Sequence, residues 1–444
     1  MNAARARAGP PLRFDLDGGA TAIFEPSHDV PLVSLVLSLR NGSADDPPGK
    51  SGLARIAIRM LRRGCEGLGA EEIDFRIDAL GAEMAVDASP SNISIQAQVI
   101  ARNVDAFVDL LARLTSTPTF PDDQLERLKR ESVAEIIEAR DNDRVVAQKA
   151  MQRTLFEGHP YGNNAGGTTR SIPAITRADV LTFYRRYVVQ GNVVIGLAGD
   201  VTAQHATELA RRLVAALGPG ASAPDDVIEP RMLPGRRLLV VDKPERTQTQ
   251  ILVGTLGTSP HDDDHVPLVV ANAVFGGTFT SRLMKEIRSK RGWSYGASAR
   301  VSIDRHRQAW VMWTFPAAQD CGPCLKLSIE LLEAWVTGGV TPREVGFIQR
   351  YLIRSHAFDV DTAAKRLHHE LDVELFGLPH DYFSGWIEHV RSVTPEAASA
   401  AVRSHIHADD LLAVVVGTAS QVLEPLRAAM PRLDGASVVP FDAE

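Results

Sequence analysis

The chain has 444 residues, of which 44% are hydrophobic and 23% are charged. That composition excludes a disordered chain, a collagen-like repeat and a small disulfide-stapled scaffold. The formal net charge of -7 gives no global basic field of the kind that attracts nucleic acid. No apolar run approaches the roughly 18–20 residues of a membrane span. Neither a nucleic-acid partner nor a membrane span is therefore expected.

The beginning of the chain, Met1 to Pro11, carries arginines without an apolar segment behind them, which is not the pattern of an intact signal peptide. The compartment therefore stays open. The protein is cytoplasmic if Met1 is the native start, and periplasmic if a leader has been removed. Three cysteines, Cys65, Cys321 and Cys324, are too few for a disulfide framework.

The hydrophobic pattern changes repeatedly between strand-like and helical periodicity, which predicts a mixed class. Short apolar runs predict strands at Val33–Leu39, Ile93–Val99, Val193–Leu197, Leu238–Val241, Gln250–Thr255 and Leu411–Val416. A spacing of 3.6 residues predicts helices at Leu53–Arg63, Leu125–Arg140, Asp179–Tyr187, His205–Leu217 and Leu325–Val336.

One pattern occurs twice along the chain. Thr176 opens a predicted helix that is followed by a strand ending at Gly199, and Thr394 opens the same arrangement ending at Gly417. Both spacings are 23 residues and the two copies are 218 residues apart. The starts of two long helices, near Pro121 and Thr341, repeat at a similar offset of 220. A nearly constant offset indicates a duplication.

A segment rich in glycine and proline, residues 218–235, lies close to the middle of the chain and predicts a linker. We therefore expect two homologous domains. The N-terminal domain covers residues 1–217, and the C-terminal domain covers residues 236–444.

Several segments resemble the pitrilysin/insulinase-type zinc metallopeptidases in order and spacing. They are Asn41–Leu61, Phe156–Gly162, Gln248–Gln250 and Phe275–Tyr295. The length is similar to that of the short-chain, processing-peptidase-like branch, which has two half-size domains per subunit. The resemblance implies an α+β fold of two homologous domains, each a mixed β-sheet packed with helices, which together form half of a clamshell chamber.

The family carries His-x-x-Glu-His on its first helix, where two His at i and i+4 reach one zinc ion and the Glu acts as general base. The matching positions here are Arg55, Ile58 and Arg59, so two ligands have become cations and the carboxylate has become a hydrocarbon. The third ligand, a Glu in the family, falls on Ile136, with Glu135 one step away. We expect no metal in this chain, and zinc in a partner subunit.

Two interpretations of the arginines on this helix stay open. In the first, Arg55, Arg59 and Arg62 form a solvated basic stripe on a helix packed by its other face. In the second, they bind an acidic segment of a substrate or partner. The apolar face expected to meet the core consists of Leu53, Ile56, Ala57 and Met60.

The resemblance also assigns a role to Arg288 and Tyr295, which are seven residues apart as in the C-terminal domain of insulinase-like enzymes. There the Tyr hydroxyl donates to the oxyanion that forms on the scissile carbonyl, and the Arg holds a neighbouring substrate carbonyl. The alternative is that Tyr295 is a strand aromatic and Arg288 a helix-surface cation, kept by ancestry alone.

Three further motifs favour ordinary structural interpretations. The run from His261 to His265 has i,i+4 histidines, but it lies where the family has a variable polar turn. Adjacent His368 and His369 point about 100° apart on a predicted helix, which disfavours ligation of one metal. The Cys321-Gly-Pro-Cys324 sequence spells a redox motif, and it is interpreted here as a loop with two incidental thiols or, less simply, a reversible disulfide.

The leading hypothesis is a zinc-free subunit of a heterodimeric metallopeptidase. A homologous partner would supply the zinc site, and an unfolded peptide would add a strand to a sheet edge at about Gly81–Ala88. The alternatives are a structural core or scaffold protein and a peptide-binding homodimer without peptidase activity. A hydrolase with a different site has no supporting signature in the sequence.

Overall fold

The structure is a computed structural model that describes residues 11–444. The first ten residues lie outside the described residues. They include most of the segment from Met1 to Pro11 that does not match the pattern of a signal peptide. The strands, in chain order, are β1 Leu12–Asp15, β2 Thr21–Pro26, β3 Leu32–Leu39, β4 Gly64–Cys65, β5 Leu68–Gly69, β6 Ala82–Ala88, β7 Ile93–Ile100, β8 Val189–Gly191, β9 Val193–Gly199, β10 Gly218–Ala221, β11 Arg236–Asp242, β12 Gln250–Leu256, β13 Ala297–Val301, β14 Ala309–Thr314, β15 Leu412–Gly417 and β16 Leu433–Pro440.

The α-helices of the described chain alternate with these strands. In chain order they are α1 Leu53–Met60, α2 Ala70–Ala79, α3 Val104–Ser116, α4 Asp122–Glu138, α5 Asp143–Leu155, α6 Ser171–Ala174, α7 Arg177–Tyr187, α8 Ala203–Ala215, α9 His265–Asn272, α10 Cys321–Gly338, α11 Pro342–Asp359, α12 Ala363–Phe376, α13 Trp386–Ser392, α14 Pro395–His405 and α15 Ala419–Ala429.

Every strand and helix predicted from periodicity is present, with boundaries that differ by a few residues. The largest difference is at α10, which begins at Cys321, four residues before the predicted start at Leu325. The first helix, α1, ends at Met60, and the chain continues as a tighter turn over Leu61–Arg63. The repeated threonines are both helix N-caps. Thr176 accepts a hydrogen bond from the backbone N–H of Asp179, and Thr394 accepts one from Ala397.

The chain forms two compact units, and each unit is made of three separate segments. The first unit takes residues up to 132, then 165–226 and 357–384; the second takes 133–164, 227–356 and 385–444. The compact units therefore differ from the predicted halves, 1–217 and 236–444, in two segments. The long helices α4 and α11 carry the chain from one unit into the other. The predicted linker, residues 218–235, begins with the short strand β10, which pairs with β8.

The first unit is built on a six-stranded mixed sheet with the order β1-β2-β9-β3-β7-β6. Only β2 and β9 run parallel in it; the other described neighbours are antiparallel. One face packs against helices that include α3 and α8. The other face is covered by α12, through an apolar cluster of Ile23, Val36, Val194, Ala198, Leu367, Leu371 and Leu375.

The second unit has a six-stranded sheet of the order β13-β14-β12-β15-β11-β16. The parallel pairs are β11 with β15 and β11 with β16. Its larger core lies between this sheet and helices α9, α10, α14 and α15. Helix α5 packs on β12 and β15. Its buried side chains are Val146, Ala147, Ala150, Met151 and Leu155.

Helices α5 and α12 occupy corresponding places in the sequence repeat, since they begin at residues 143 and 363, an offset of 220. Each packs on the sheet whose strands come from the other sequence half. The predicted α+β class with two sheet-and-helix halves is therefore confirmed. Local periodicity did not indicate that α5 and α12 pack on sheets from the other half of the sequence.

Close approach of α12 to its sheet depends on Gly196 in β9. A Cβ at this position would lie 2.9 Å from Leu371 Cδ1 and 3.2 Å from the Leu367 side chain, so a larger residue would push the helix away. Polar contacts hold the helix at its two ends. Arg366 donates to the buried carboxylate of Glu25 at 2.6 Å, and Glu374 accepts a 2.6 Å hydrogen bond from Arg40.

Shortening a buried side chain at the centre of α12 should destabilise the first unit. Leu371→Ala removes a buried side chain from the cluster between helix and sheet, and we expect a loss of about 2–5 kcal/mol in the free energy of unfolding. Urea unfolding followed by circular dichroism measures this loss. The exposed His368 on the same helix provides the control, and His368→Ala should stay within about 0.5 kcal/mol of the parent. Equal effects of the two variants would contradict the packing described here.

Candidate functional site

Arg55, Ile58 and Arg59, the positions that the resemblance assigns to the His-x-x-Glu-His motif, lie on α1 in the first unit. The predicted apolar face of that helix is buried as expected, and Ile58 is buried with it. Arg55 and Arg59 are half-buried, so a solvated stripe describes these two positions only in part. Arg59 Nη1 donates to the Ser132 hydroxyl at 3.1 Å. Arg62, in the turn after α1, pairs with Asp74 at 2.6 Å.

The beginning of α1 is organised by a buried carboxylate. Asp46 accepts hydrogen bonds from the backbone N–H groups of Gly52 at 2.7 Å and Ala54 at 2.8 Å. These groups belong to the first turn, where a helix has no internal acceptors for its N–H donors. Burial raises the pKa of Asp46 to about 7, while the two backbone donors act in the opposite direction. Asp46 thus positions the helix that carries Arg55 and Arg59.

The predicted position of the third ligand, Ile136, lies on α4 and is buried in the second unit. Its neighbour Glu135 is half-buried. Zinc requires neutral imidazole nitrogens, thiolates or carboxylates. The set Arg55, Ile58, Arg59 and Ile136 offers two guanidinium cations and two hydrocarbons, so these residues do not fit a zinc ion.

The structure brings Asp262, Asp264 and His405 together, with one potential ligand atom of each within 4.8 Å of the others. Each has a partner in the protein. Asp262 accepts from Arg307 at 2.9 Å, and His405 Nε2 lies 2.7 Å from Asp264. A guanidinium bound to one member opposes a cation in this cluster, which agrees with the polar turn expected at residues 261–265.

The two residues predicted to act on substrate do lie together, on the surface of the second unit. Arg288 stands at the end of a π-helical turn, Met284–Ser289, and Tyr295 comes just before β13. The Arg288 guanidinium carbon is 4.2 Å from the centroid of the Tyr295 ring. Tyr295 is 77% exposed. Its hydroxyl makes no hydrogen bond to any residue that the structure describes.

A third residue, Phe279, completes this arrangement and was not singled out from the sequence. Its ring centroid is 4.6 Å from the Arg288 guanidinium carbon, and the side chain is 71% exposed. We refer to Phe279, Arg288 and Tyr295 as the aromatic–arginine site. The sequence placed Phe279 inside the Phe275–Leu283 motif, which could have drawn attention to it. Hydrophobic periodicity could not, because it does not predict whether an aromatic side chain in a loop is exposed.

Local packing explains why these side chains point to solvent. Phe275 is buried and stacks on Trp335, with ring centroids 4.4 Å apart. Gly276 follows it, and a Cβ there would lie 2.6 Å from the backbone nitrogen of Ala299 in β13, so the turn before Phe279 requires glycine. On the other side of the site, the buried Ser294 hydroxyl donates to the carbonyl of Gly296 at 2.8 Å.

Three cations close to Arg288 in the sequence have carboxylate partners. Arg282 donates to Glu344 at 2.8 Å through two nitrogens. Lys290 and Arg291 take the two oxygens of Glu286, at 2.6 and 2.8 Å. Arg288, in contrast, makes no hydrogen bond or ion pair within residues 11–444.

The predicted strand-addition segment, residues 81–88, contains β6. This strand pairs with β7 on one side and is the last strand of its sheet. The sequence expectation of an edge strand is therefore met in the structure. Arg62 Nη1 donates to the backbone carbonyl of Met84 in this strand at 3.2 Å.

The three cysteines are free and buried. Burial raises the pKa of the Cys321 thiol to about 11 and that of Cys324 to about 12. A redox-active thiol needs a stabilised thiolate and access to solvent. The structure therefore favours the interpretation of the Cys321-Gly-Pro-Cys324 sequence as two inert thiols, here at the start of α10 instead of in a loop.

Among residues 11–444, no helix is long and apolar enough to cross a membrane.

Two family models match this chain. The model described as "Insulinase (Peptidase family M16)" matches residues 22–169, and the model described as "Peptidase M16 inactive domain" matches residues 174–352. The chain belongs to peptidase family M16, the pitrilysin/insulinase family.

Some relatives are named as non-peptidases and others as zinc proteases. The chain is 21% identical to the "Non-peptidase homolog YmxG" of Helicobacter pylori, over 89% of this chain and 91% of that protein. It is 25% identical to an "Uncharacterized zinc protease" of Mycobacterium tuberculosis, over 90% and 91% of the two chains.

Solved structures agree on the fold. A "peptidase M16 inactive domain" structure from Pseudomonas fluorescens has a TM-score of 0.84 and 26% identity, covering 92% of this chain and 98% of that one. The periplasmic protease PqqL from Escherichia coli has a TM-score of 0.77 and 15% identity; the match covers 99% of this chain but 52% of PqqL. This chain thus has the fold of one half of that longer protein.

The contribution of Asp46 to the stability of the chain should fall as pH rises. Its pKa is about 7 in the folded chain and lies near 4 when unfolded, so between those values the native state binds the extra proton. This contribution is complete below about pH 4 and is lost as pH rises through 7. Asp46→Asn cannot titrate, and it should therefore gain in melting temperature relative to the parent between about pH 5 and pH 8. A difference between the two melting curves that is constant with pH would contradict the assignment.

The buried thiols should be inert in the folded protein. At about pH 8, Ellman's reagent should react with none of the three cysteines of the native chain on a timescale of minutes. In concentrated guanidinium chloride, all three should react. Rapid loss of two thiols from the native protein, or an intact mass that indicates a Cys321–Cys324 disulfide, would support the redox interpretation instead.

Proposed function

We propose that this chain is the non-zinc-binding subunit of a heterodimeric metallopeptidase and supplies Arg288 and Tyr295 to the substrate site of a zinc-bearing partner. One observation carries the proposal. The second unit presents an exposed tyrosine hydroxyl and an arginine, neither bonded to an acceptor among the described residues, while α1 of the first unit has no side chain able to bind zinc.

The proposed chemistry needs only what these two side chains can donate. The Tyr295 hydroxyl would donate to the oxyanion that develops on the scissile carbonyl at the partner's zinc. Arg288 would hold a neighbouring group of the peptide. A preorganised donor of this kind is typically worth ~10²–10³ in rate. The Tyr295 ring lies on Arg288, so each side chain restricts the other before substrate arrives.

The partner would be a homologous subunit with the zinc motif on its own first helix. Support for pairing comes from the match to one half of PqqL, since two such halves make up that longer chain. In the same proposal, an unfolded peptide binds by adding a strand to the free edge of β6.

A scaffold protein without peptidase activity is the second candidate. It is favoured by the contacts of the former ligand helix, because Arg59 donates to Ser132 and Arg62 pairs with Asp74 in a purely structural way. The name of the Helicobacter pylori relative, a non-peptidase homolog, agrees with such a role. A scaffold has no use for the hydroxyl of Tyr295, and this difference separates the two candidates.

The experiment measures cleavage of an internally quenched fluorescent peptide by a zinc-bearing relative encoded in the same organism. We expect that adding this chain raises the rate at least about tenfold, and that Tyr295→Phe removes most of the gain. Tyr351→Phe is the matched control, because Tyr351 is an exposed tyrosine on α11 away from the aromatic–arginine site in sequence. It should accelerate cleavage like the parent chain.

Two results would contradict the proposal. Equal acceleration by the parent and by Tyr295→Phe would show that the chain only completes the partner's structure. No acceleration with any zinc-bearing relative would favour the scaffold or a peptide-binding homodimer. Gel filtration of the mixture then tells whether the two chains associate.

A further inference from the structure

The aromatic–arginine site has a geometry that selects the kind of group Arg288 can bind. Two rings contact one guanidinium, with centroids 4.6 Å (Phe279) and 4.2 Å (Tyr295) from its central carbon. Contact of this kind is a cation–π attraction between the guanidinium and each ring. It does not supply an oxygen acceptor to the five N–H donors of the guanidinium, so these donors stay available to a ligand.

Those donors have no acceptor within the described chain. The neighbouring cation Arg282 pairs with Glu344, and Lys290 and Arg291 share Glu286, whereas Arg288 contacts the two rings and no carboxylate of the described chain. Water can satisfy the N–H donors of a surface arginine, so Arg288 need not have unsatisfied donors in the free protein. A ligand that replaces this water must present acceptors in the same plane as the donors, and a carboxylate does so with two oxygens.

Burial in the core does not explain the two exposed rings. Phe279 and Tyr295 are both more than 70% exposed, and an exposed phenylalanine contributes little to folding. What they do provide is restriction of a long, flexible side chain. An arginine already held in one conformation loses less entropy when it binds a ligand. Tyrosine and arginine are also the residue types that contribute most at binding surfaces.

We propose that the aromatic–arginine site binds a carboxylate of a peptide, and that Phe279 is a positioning residue for Arg288. The inference rests on the proposed function, because it specifies the substrate class of the same site: peptides that present a carboxylate next to the bond being cleaved or at their end. The carboxylate has two sources, a glutamate or aspartate side chain and a free peptide C-terminus.

Three short peptides distinguish these sources. Each carries an N-terminal trifluoroacetyl group, so that binding to the full chain alone can be followed by ¹⁹F NMR without adding a charge. The first has a free C-terminus and an internal Gln, the second is C-terminally amidated with an internal Glu, and the third is amidated with Gln and has no carboxylate. We expect one or both of the first two to bind roughly tenfold to a hundredfold more tightly than the third.

Variants then assign the effect to this site. Arg288→Lys keeps the charge but loses the planar fork, and it should abolish most of the carboxylate preference. Phe279→Leu should weaken carboxylate binding severalfold, and Phe279→Tyr, which restores a ring, should recover it. Arg291→Lys, at an arginine already paired with Glu286, is the matched control and should bind like the parent.

Tyr295→Phe separates this inference from the proposed function. The variant keeps the ring on Arg288 and loses only the hydroxyl, so carboxylate binding should stay within about twofold while the rate gain with the zinc-bearing partner falls. Equal binding of all three peptides, unchanged binding by Arg288→Lys, or no binding at about millimolar peptide would each overturn the carboxylate site. None of these results depends on whether a partner is activated.

Discussion

Each of the two sheets in this chain depends on a helix that comes from the other half of the sequence. A sheet buried on both faces needs apolar cover on both. Helix α12 supplies one cover in the first unit, where Gly196 allows Leu371 to approach the sheet closely. Helix α5 has the corresponding place in the second unit. This exchange ties both halves of the chain into each core, and the surfaces that carry chemistry are built on that base.

The packing of helix α1 does not depend on zinc-binding side chains. Its apolar face packs into the core through side chains such as Ile56 and Met60, and Asp46 satisfies N–H groups of its first turn. The side chains at positions 55 and 59 project from another part of the same helix. Because packing and ligation use different faces, arginine can stand where imidazole would be needed for zinc without changing the backbone. Fold therefore does not decide function here.

The second unit presents the opposite case, in which side chains that do little for stability are held in a defined arrangement. Tyr295 and Phe279 are largely exposed, and Arg288 between them has no carboxylate partner in the described chain. Surface contacts of this type contribute on the order of 1 kcal/mol or less. Below them, buried groups such as Phe275 fix the loop and strand that carry the site. A rigid support under exposed donors is typical of a binding surface.

The sequence by itself determined the strands and helices and the repeat of patterns at an offset of about 220, because periodicity and spacing are local properties. That Arg55 and Arg59 stand where the resemblance places zinc ligands stays a prediction. The seven-residue spacing of Arg288 and Tyr295 was also readable. Only the tertiary structure decided that α5 and α12 are exchanged, that the α1 arginines are half-buried, and that Phe279 stacks on Arg288. Such features depend on contacts between distant segments or on the direction in which a loop leaves the core, and neither leaves a periodic trace in the sequence.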